Sequence, residues 1–468
     1  MSILESLPNS SNHSSNDERQ RKKTERKVAL ATVIGTSIEF YDYFIYAAIA
    51  GMVFNHIFFG PAGPAFATIL AFASVGISFL FRPLGAFLAG HYGDKLGRKT
   101  MLVISLILMG GSTTLIGLLP TYESIGIAAP LLLVSLRIIQ GISVGGEWGG
   151  AILMAVEHAP KGKRGHFGAF PQLGVPLGLL LSSAVLSIMT GFVSPGDEFL
   201  EWGWRIPFLF SIVLVLIGHW IRISLDETPI FKEIKQRKVA TRTPIKELFK
   251  NHFLILILAS FLLAGTQAIG YMTTGGFIQN YATDPNGPIQ MARTTLLSIM
   301  TSIAVVWVIV TYFSGGWSDK FGRKKMYYLS YSLQFATVLV LFPLLNMGQI
   351  WSIGLALLLL SVSVGIACGV QSAFYAELFP VSVRFSGVSI AYALGSILGG
   401  AFSPMIAAWL ISTTGETSSV TYYLAFMTIL ALVAISCLKE RRNLPLGFEY
   451  EERQKADPLV WQKKPDDQ

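Results

Sequence analysis

The stretch IGTSIEFYDYFIY sets two carboxylates, Glu39 and Asp42, three residues apart among apolar and aromatic neighbours. At helical spacing they share roughly one face. An ionised carboxylate inside an apolar span is costly unless it is paired, hydrated or protonated, so two such acids ask for a purpose. Two readings stand. In one, the pair is a proton-coupling group, loaded and released as the helix moves relative to a cation; in the other, the acids form permanent ion pairs that fix helix packing. The matching cation is Arg137 in SLRIIQGISVGGEWGGA, followed one turn later by Gln140. A guanidinium stays protonated and fits the two oxygens of a carboxylate. Arg137 either holds the carboxylate of a bound solute, with Gln140 adding hydrogen bonds, or neutralises Glu39 or Asp42.

Other polar side chains recur at helical spacing inside apolar runs. Gln172 stands in FPQLGVPLGLL, Gln267 and Tyr271 lie one turn apart in LLAGTQAIGYMTTGG, and Gln371 and Tyr375 repeat that spacing further on. With Arg137, Gln140 and Tyr43 they form the candidate solute-contacting set. Tyr41, Tyr43 and Tyr46 have aromatic packing as their alternative role. Glu377 and Glu147 fall towards helix ends, where a gating or capping contact fits. Arg82 in FRPLG has three possibilities: its head reaches the interface, pairs with Glu147, or contacts solute. His56, His91 and His158 are scattered near span edges and make no metal constellation. Cys368 and Cys437 are far apart in apolar surroundings and read as packing residues. No metal or organic cofactor is expected, and no compact nucleophile–base set or dinucleotide motif suggests an enzyme.

The elements that must position these residues follow from composition. Of 468 residues, 52% are hydrophobic and only 14% charged, which excludes an ordinary soluble domain. A bilayer core requires about 20 residues of helix per crossing. Twelve such spans are predicted near 28–54, 65–90, 100–119, 127–156, 166–190, 204–223, 251–278, 290–314, 326–345, 350–378, 385–411 and 418–438. With the N-terminus inside, 31 of the 36 basic residues fall in the tails and inward connections, and the six outward loops carry none. Both termini are therefore expected in the cytoplasm, in a multi-pass inner-membrane protein. The net charge of +8 belongs to this asymmetry rather than to a nucleic-acid face.

Residues 1–27 and 439–468 read as cytoplasmic tails, the first of them disordered. The charged connection at 225–250 divides the chain into six-helix halves at 28–224 and 251–438. Each half carries the same decapeptide after its second span: GHYGDKLGRK at 90–99 and GGWSDKFGRK at 315–324, with their aspartates 225 positions apart. Neither copy fits a phosphate-binding GxxxxGK[ST] loop. A repeated charged turn at equivalent positions marks a repeated architecture, and Asp94, Arg98, Asp319 and Arg323 become candidate gate residues. Glu147 and Arg384 join that gating set.

The two decapeptides, EFYDYFIY, RIIQGISVGGEWGG, WGWRIPF at 202–208 and LDETP at 225–229 together resemble the metabolite:proton symporter branch of the major facilitator superfamily. Its members include carriers of shikimate, alpha-ketoglutarate, and proline or betaine. The resemblance spans about 28–438. It implies an all-α membrane fold of twelve helices in two bundles that rock around a central cavity. It also implies symport of a small organic acid or zwitterionic osmolyte by a monomer, with the proton as coupling ion. Arg205 and Glu227 fall in branch-like motifs, where an end-of-helix or interdomain contact is expected. Proton antiport or export is the open alternative, since the same architecture serves both directions. A receptor that binds without transporting is a further one.

Overall fold

The computed structural model describes residues 10–96, 98–223, 244–274, 276–285, 287–442, 444 and 446–447; the side chains of 10–22, 65, 90–91, 93–99 and 273–274 lie outside that description. The elements are helices, with no β-sheet among the described residues. Among the described residues, twelve helices are long and apolar enough to cross a membrane. They are α1 (Lys23–Ile57), α2 (Phe66–Ala89), α3 (Thr100–Gly117), α4 (Ala128–Glu157), α5 (Arg164–Val193) and α6 (Phe199–Ile223), then α7 (Phe253–Thr283), α8 (Arg293–Phe321), α9 (Arg323–Asn346), α10 (Ile350–Leu378), α11 (Arg384–Thr414) and α12 (Ser418–Cys437). Each corresponds to one span expected from sequence. The apolar bulk on the outside is what a bilayer requires: Phe192, Trp220 and Tyr422 are 85%, 78% and 73% exposed.

The two halves meet along α5 against α8 and α10, and along α11 against α2 and α4. Within the first half, the glycines of α4 allow backbone contact with α2. A Cβ at Gly141 would fall 2.0 Å from the Ser78 carbonyl oxygen, and one at Gly145 would fall 2.1 Å from that of Arg82. Pro171 and Pro176 sit inside α5. Thr36 of α1 donates its hydroxyl to the Pro171 carbonyl at 2.8 Å, tying the proline-containing helix to its neighbour.

Two differences from the sequence reading concern the ends of elements. The helix that contains α1 runs back to Ser10, so residues 10–27 are helical rather than disordered. The second decapeptide is not a loop. Asp319 and Lys320 complete the last turn of α8, and the chain turns only at Gly322, whose φ of +108° an L side chain rarely adopts. In the connection between halves, 225–243 and with them Glu227 lie outside the described residues, and Pro244–Asn251 form a short helix. Both cysteines are free, Cys368 buried and Cys437 partly so.

Candidate functional site

In the first half Asp42 is 2% exposed and accepts two hydroxyl hydrogen bonds, from Ser211 of α6 at 2.6 Å and from Thr113 of α3 at 2.9 Å. The Thr113 oxygen in turn accepts from Gln140 Nε2 at 2.6 Å, and Gln140 Oε1 accepts from Arg137 Nη1 at 2.7 Å. A chain of polar contacts thus links Arg137 to Asp42 across α4, α3 and α1, and such chains fix the side chains they contain. The rest of the Arg137 guanidinium is also occupied. Its Nε donates to the Ser74 carbonyl at 3.3 Å, its Nη2 to the Val75 carbonyl at 3.2 Å and the Ser78 hydroxyl at 2.9 Å, and its plane lies 3.8 Å from the Tyr46 ring centre. Tyr46 donates to or accepts from Ser74 at 2.7 Å, and Tyr41 donates to the Pro207 carbonyl at 2.9 Å. Arg137 and Gln140 therefore brace the first bundle in this conformation, and neither lines the cavity between the halves.

Glu39 is 3% exposed and shares a small cavity of about 20 Å³ with Asp42, Tyr43, Arg82, Arg137 and Gln140. The helical spacing read from sequence does bring the two acids to one place. Their surroundings differ: Asp42 is held by hydroxyls, whereas Glu39 Oε2 is buried without a hydrogen-bond partner. A buried carboxylate oxygen left unpaired favours the neutral form of such a group or a partner that arrives in another state. Arg82 lies beside it, over the Phe79 ring at 3.9 Å, rather than paired with Glu147 as one sequence reading allowed.

The second cavity lies between the halves. It has a volume of about 30 Å³ and is walled by Phe40, Phe44, Trp148 and Gln172 from one half and by Gln267, Tyr271, Trp307, Gln371 and Tyr392 from the other. This is room for about two waters, so the halves are drawn together here and an organic solute requires them to part. Tyr43, Phe79 and Tyr271 pack edge to face with centroids 5.2–5.7 Å apart, joining α1, α2 and α7. Trp148 stacks on Tyr392 at 3.9 Å. Gln172 Nε2 donates to the Ser372 hydroxyl at 3.1 Å, also across the halves. Of the sequence candidates, Gln172, Gln267, Tyr271 and Gln371 line this space. Tyr375 does not: its hydroxyl donates to the Ala259 carbonyl at 2.5 Å, within its own half.

At the face that carries the chain ends the halves are locked by charge. Asp319 accepts the backbone N–H groups of Gly165 and His166, each at 2.9 Å, so a carboxylate of α8 caps the N-terminus of α5. Arg323 pairs with Asp319 at 2.8 Å and with Glu377 at 3.3 Å, and donates to the Ser318 hydroxyl at 2.6 Å. Arg164 of the first half approaches Glu377 at 3.6 Å, and Arg384 approaches Glu157 at 3.8 Å. The segment after α12 closes over this network. Glu440 accepts the N–H of Arg323 at 2.8 Å, Arg164 donates to the Leu444 carbonyl at 2.6 Å, and Arg384 donates to the Leu446 carbonyl at 3.0 Å.

The gate candidates thus separate. Asp319, Arg323 and Arg384 sit at the junction of the halves. Glu147 does not: it pairs with Arg222, which also donates to the Leu102 carbonyl, so this buried ion pair joins α4 to α6 inside one half. The side chains of Asp94 and Arg98 lie outside the described residues. Arg205 donates to the Gly117 and Leu119 carbonyls at 2.9 and 2.7 Å, the end-of-helix contact expected for it. Sequence reasoning missed the partnership of Glu147 with Arg222, the hydroxyls of Thr113 and Ser211, and the acids Glu157 and Glu440. Only the first had a signal, two opposite charges inside apolar spans.

Comparison with known proteins agrees with this architecture. The chain is 40% identical over 423 residues to the inner membrane metabolite transport protein YhjE of Escherichia coli K12, covering 90% of this chain and 95% of that one. It is 37% identical over 425 residues to the shikimate transporter of the same organism, covering 89% and 95%. In three dimensions it is similar to the proton:xylose symporter XylE bound to 6-bromo-6-deoxy-D-glucose, with a TM-score of 0.75 at 19% identity over 91% of this chain and 98% of that one. The Major Facilitator Superfamily model matches residues 32–397, and the chain belongs to that family of membrane transporters.

Proposed function

We propose that the chain is a secondary active transporter that carries a small organic solute together with a proton, by alternating exposure of the cavity between its halves. The observation that carries this reading is Glu39: a buried acid with an unpartnered oxygen, adjoining Arg82 and the aromatic seam where the halves meet. Protonation removes the cost of its charge while the solute is bound, and release of the proton on the other side biases the empty carrier to return. Glu39 is the proton carrier in this account, and Asp42, held by Ser211 and Thr113, shares that role through the common cavity.

The solute is a carboxylate or a zwitterion, contacted by Gln172, Gln267, Tyr271 and Gln371. Residues 28–224 and 251–438 are the two moving bodies. Asp319, Arg323 and Arg384 form the gate on the face that carries the chain ends, and the basic connections on that face make it the cytoplasmic face of a bacterial inner membrane. The protein acts as a monomer. Proteoliposomes of known orientation test the reading. An imposed inward proton gradient accelerates uptake of the correct solute, and solute flow drives proton entry of the same sign. Uptake indifferent to both pH gradient and voltage sinks the symport account, and proton movement of opposite sign replaces it with antiport.

A further inference from the structure

The arginines of the first half differ in what their nitrogens touch. Arg137, Arg205 and Arg222 are each engaged by carbonyls, hydroxyls, an amide or a carboxylate of the protein itself. Arg82 is about as buried as Arg137 and Arg222, at 5% exposed, yet its Nε and Nη1 have no hydrogen-bond partner. A guanidinium that gives up water without replacement contacts is costly, so donors left open at depth point to a ligand that is absent.

The position of Arg82 fits that role. Its guanidinium rests on the Phe79 ring at 3.9 Å and lies 5.9 Å from the ring centre of Tyr392, which lines the cavity between the halves. Phe79 packs on Tyr271, another lining residue, whose hydroxyl is buried and also without a partner. Two nitrogen donors in the small pocket beside Glu39 and one hydroxyl of the cavity between the halves are therefore left open on either side of Phe79. The wall beyond is flat and aromatic where Trp148 stacks on Tyr392, with the amides of Gln172, Gln267 and Gln371 at its rim.

We propose that Arg82, rather than Arg137, receives the carboxylate of the transported solute, that the Tyr271 hydroxyl donates an additional hydrogen bond to it, and that the solute is a small monocarboxylate whose ring or apolar body lies against Trp148 and Tyr392. This assignment rests on the transport reading of the cavity and adds to it the identity of the anion-binding residue. The approach of a carboxylate gives the two idle nitrogens charge-assisted bonds in a site shielded from water, the setting in which such contacts are strongest.

The test is binding to the full chain, purified in lipid nanodiscs. The probes are shikimate, benzoate and glycine betaine, with methyl shikimate and benzamide as uncharged counterparts, read by calorimetry and by the shift in melting temperature. For wild type, shikimate or benzoate binds roughly thirtyfold or more tightly than its uncharged counterpart. Arg82→Gln removes that difference. Arg82→Lys, which keeps the buried charge where Arg82→Gln fails to fold, weakens carboxylate binding by about tenfold without weakening the uncharged compounds. Tyr271→Phe weakens the carboxylate by roughly threefold.

Wild type that binds no carboxylate, uncharged compounds that bind as well as acids, or Arg82 variants that keep the full preference for the acid each overturn the assignment. The transport reading survives those outcomes if a proton gradient still drives uptake of another solute. Carboxylate binding that depends on Arg82 without any gradient-driven uptake overturns the transport reading and leaves the site.

Discussion

Asp319 of the second half caps the first turn that begins at Gly165 of the first half, accepting the Gly165 N–H at 2.9 Å while its neighbour Arg323 holds it at 2.8 Å. The contact is possible because α5 and α8 touch through glycine. A Cβ at Gly165 would lie 2.3 Å from the Gly315 carbonyl oxygen and 2.4 Å from the Ser318 hydroxyl. Gly315 and Ser318 belong to the repeated decapeptide, so the motif supplies both the carboxylate and the close approach that lets it reach across the halves.

Asp319→Asn removes the charge that favours a helix N-terminus and half of the pair with Arg323, while keeping the shape. Loss of an interaction made only in the closed state shifts the equilibrium by about 1–3 kcal/mol. Cys368 reports the shift, because it is buried and lines the cavity between the halves. In a Cys437→Ser background, alkylation of Cys368 by N-ethylmaleimide is expected to accelerate at least fivefold in Asp319→Asn. An unchanged rate with normal transport makes Asp319 a packing residue only.

Glu39→Gln and Asp42→Asn separate proton coupling from solute binding. Glu39→Gln mimics the protonated acid, so solute exchange in counterflow persists while accumulation driven by a pH gradient disappears. Asp42→Asn keeps one oxygen to accept from Ser211 or Thr113 but places an NH₂ donor against the other hydroxyl. Weakened accumulation with slower exchange is therefore expected. Gradient-driven accumulation that is unchanged in both variants defeats the proton role.

The twelve spans were legible because each crossing needs a long apolar run, and the division into halves because the decapeptide repeats at the same ordinal position. Glu39 and Asp42 stood out because acids are rare at such depth. Partners were less legible. Arg137 announced itself by type, but its bonds run to carbonyls of Ser74 and Val75, which every sequence supplies and none advertises. Arg82 had three readings, reach to the interface, pairing with Glu147 or solute contact, and only the placement of Phe79, Tyr271 and Tyr392 around it distinguishes them. Glu147 and Arg222 lie 75 positions apart, and their meeting depends on how α4 and α6 are rotated, which composition does not encode.

The Glu147–Arg222 pair gives a stability prediction. Both groups are almost fully buried, so removing one partner strands the other charge, a loss of about 3–5 kcal/mol. Glu147→Gln should markedly lower the melting temperature of the purified protein. Because the neutral double variant Glu147→Gln with Arg222→Gln strands no charge, it should recover part of that loss. Additive losses in the double variant would show that the two side chains act independently.

The segment after α12 gives the last prediction. Glu440 accepts from the N–H groups of Arg323 and Lys324, and Leu444 and Leu446 offer carbonyls to Arg164 and Arg384, one arginine from each half. Of these, only the Arg164 bond to Leu444 joins the two halves, and it holds only while they are together on this face, so the segment acts as a strap on the closed state. Its surface contacts each contribute about 1 kcal/mol, while Arg441 and Leu446 are buried against the second half. Ending the chain after Lys439 is expected to raise the Cys368 alkylation rate by a smaller factor than Asp319→Asn does, with the melting temperature lowered because buried Arg441 and Leu446 are lost. Combining the two changes tests whether the strap and the Asp319 cap act on one equilibrium: multiplicative acceleration follows if both stabilise the same closed state, whereas no effect of truncation in either background removes the strap from the gate.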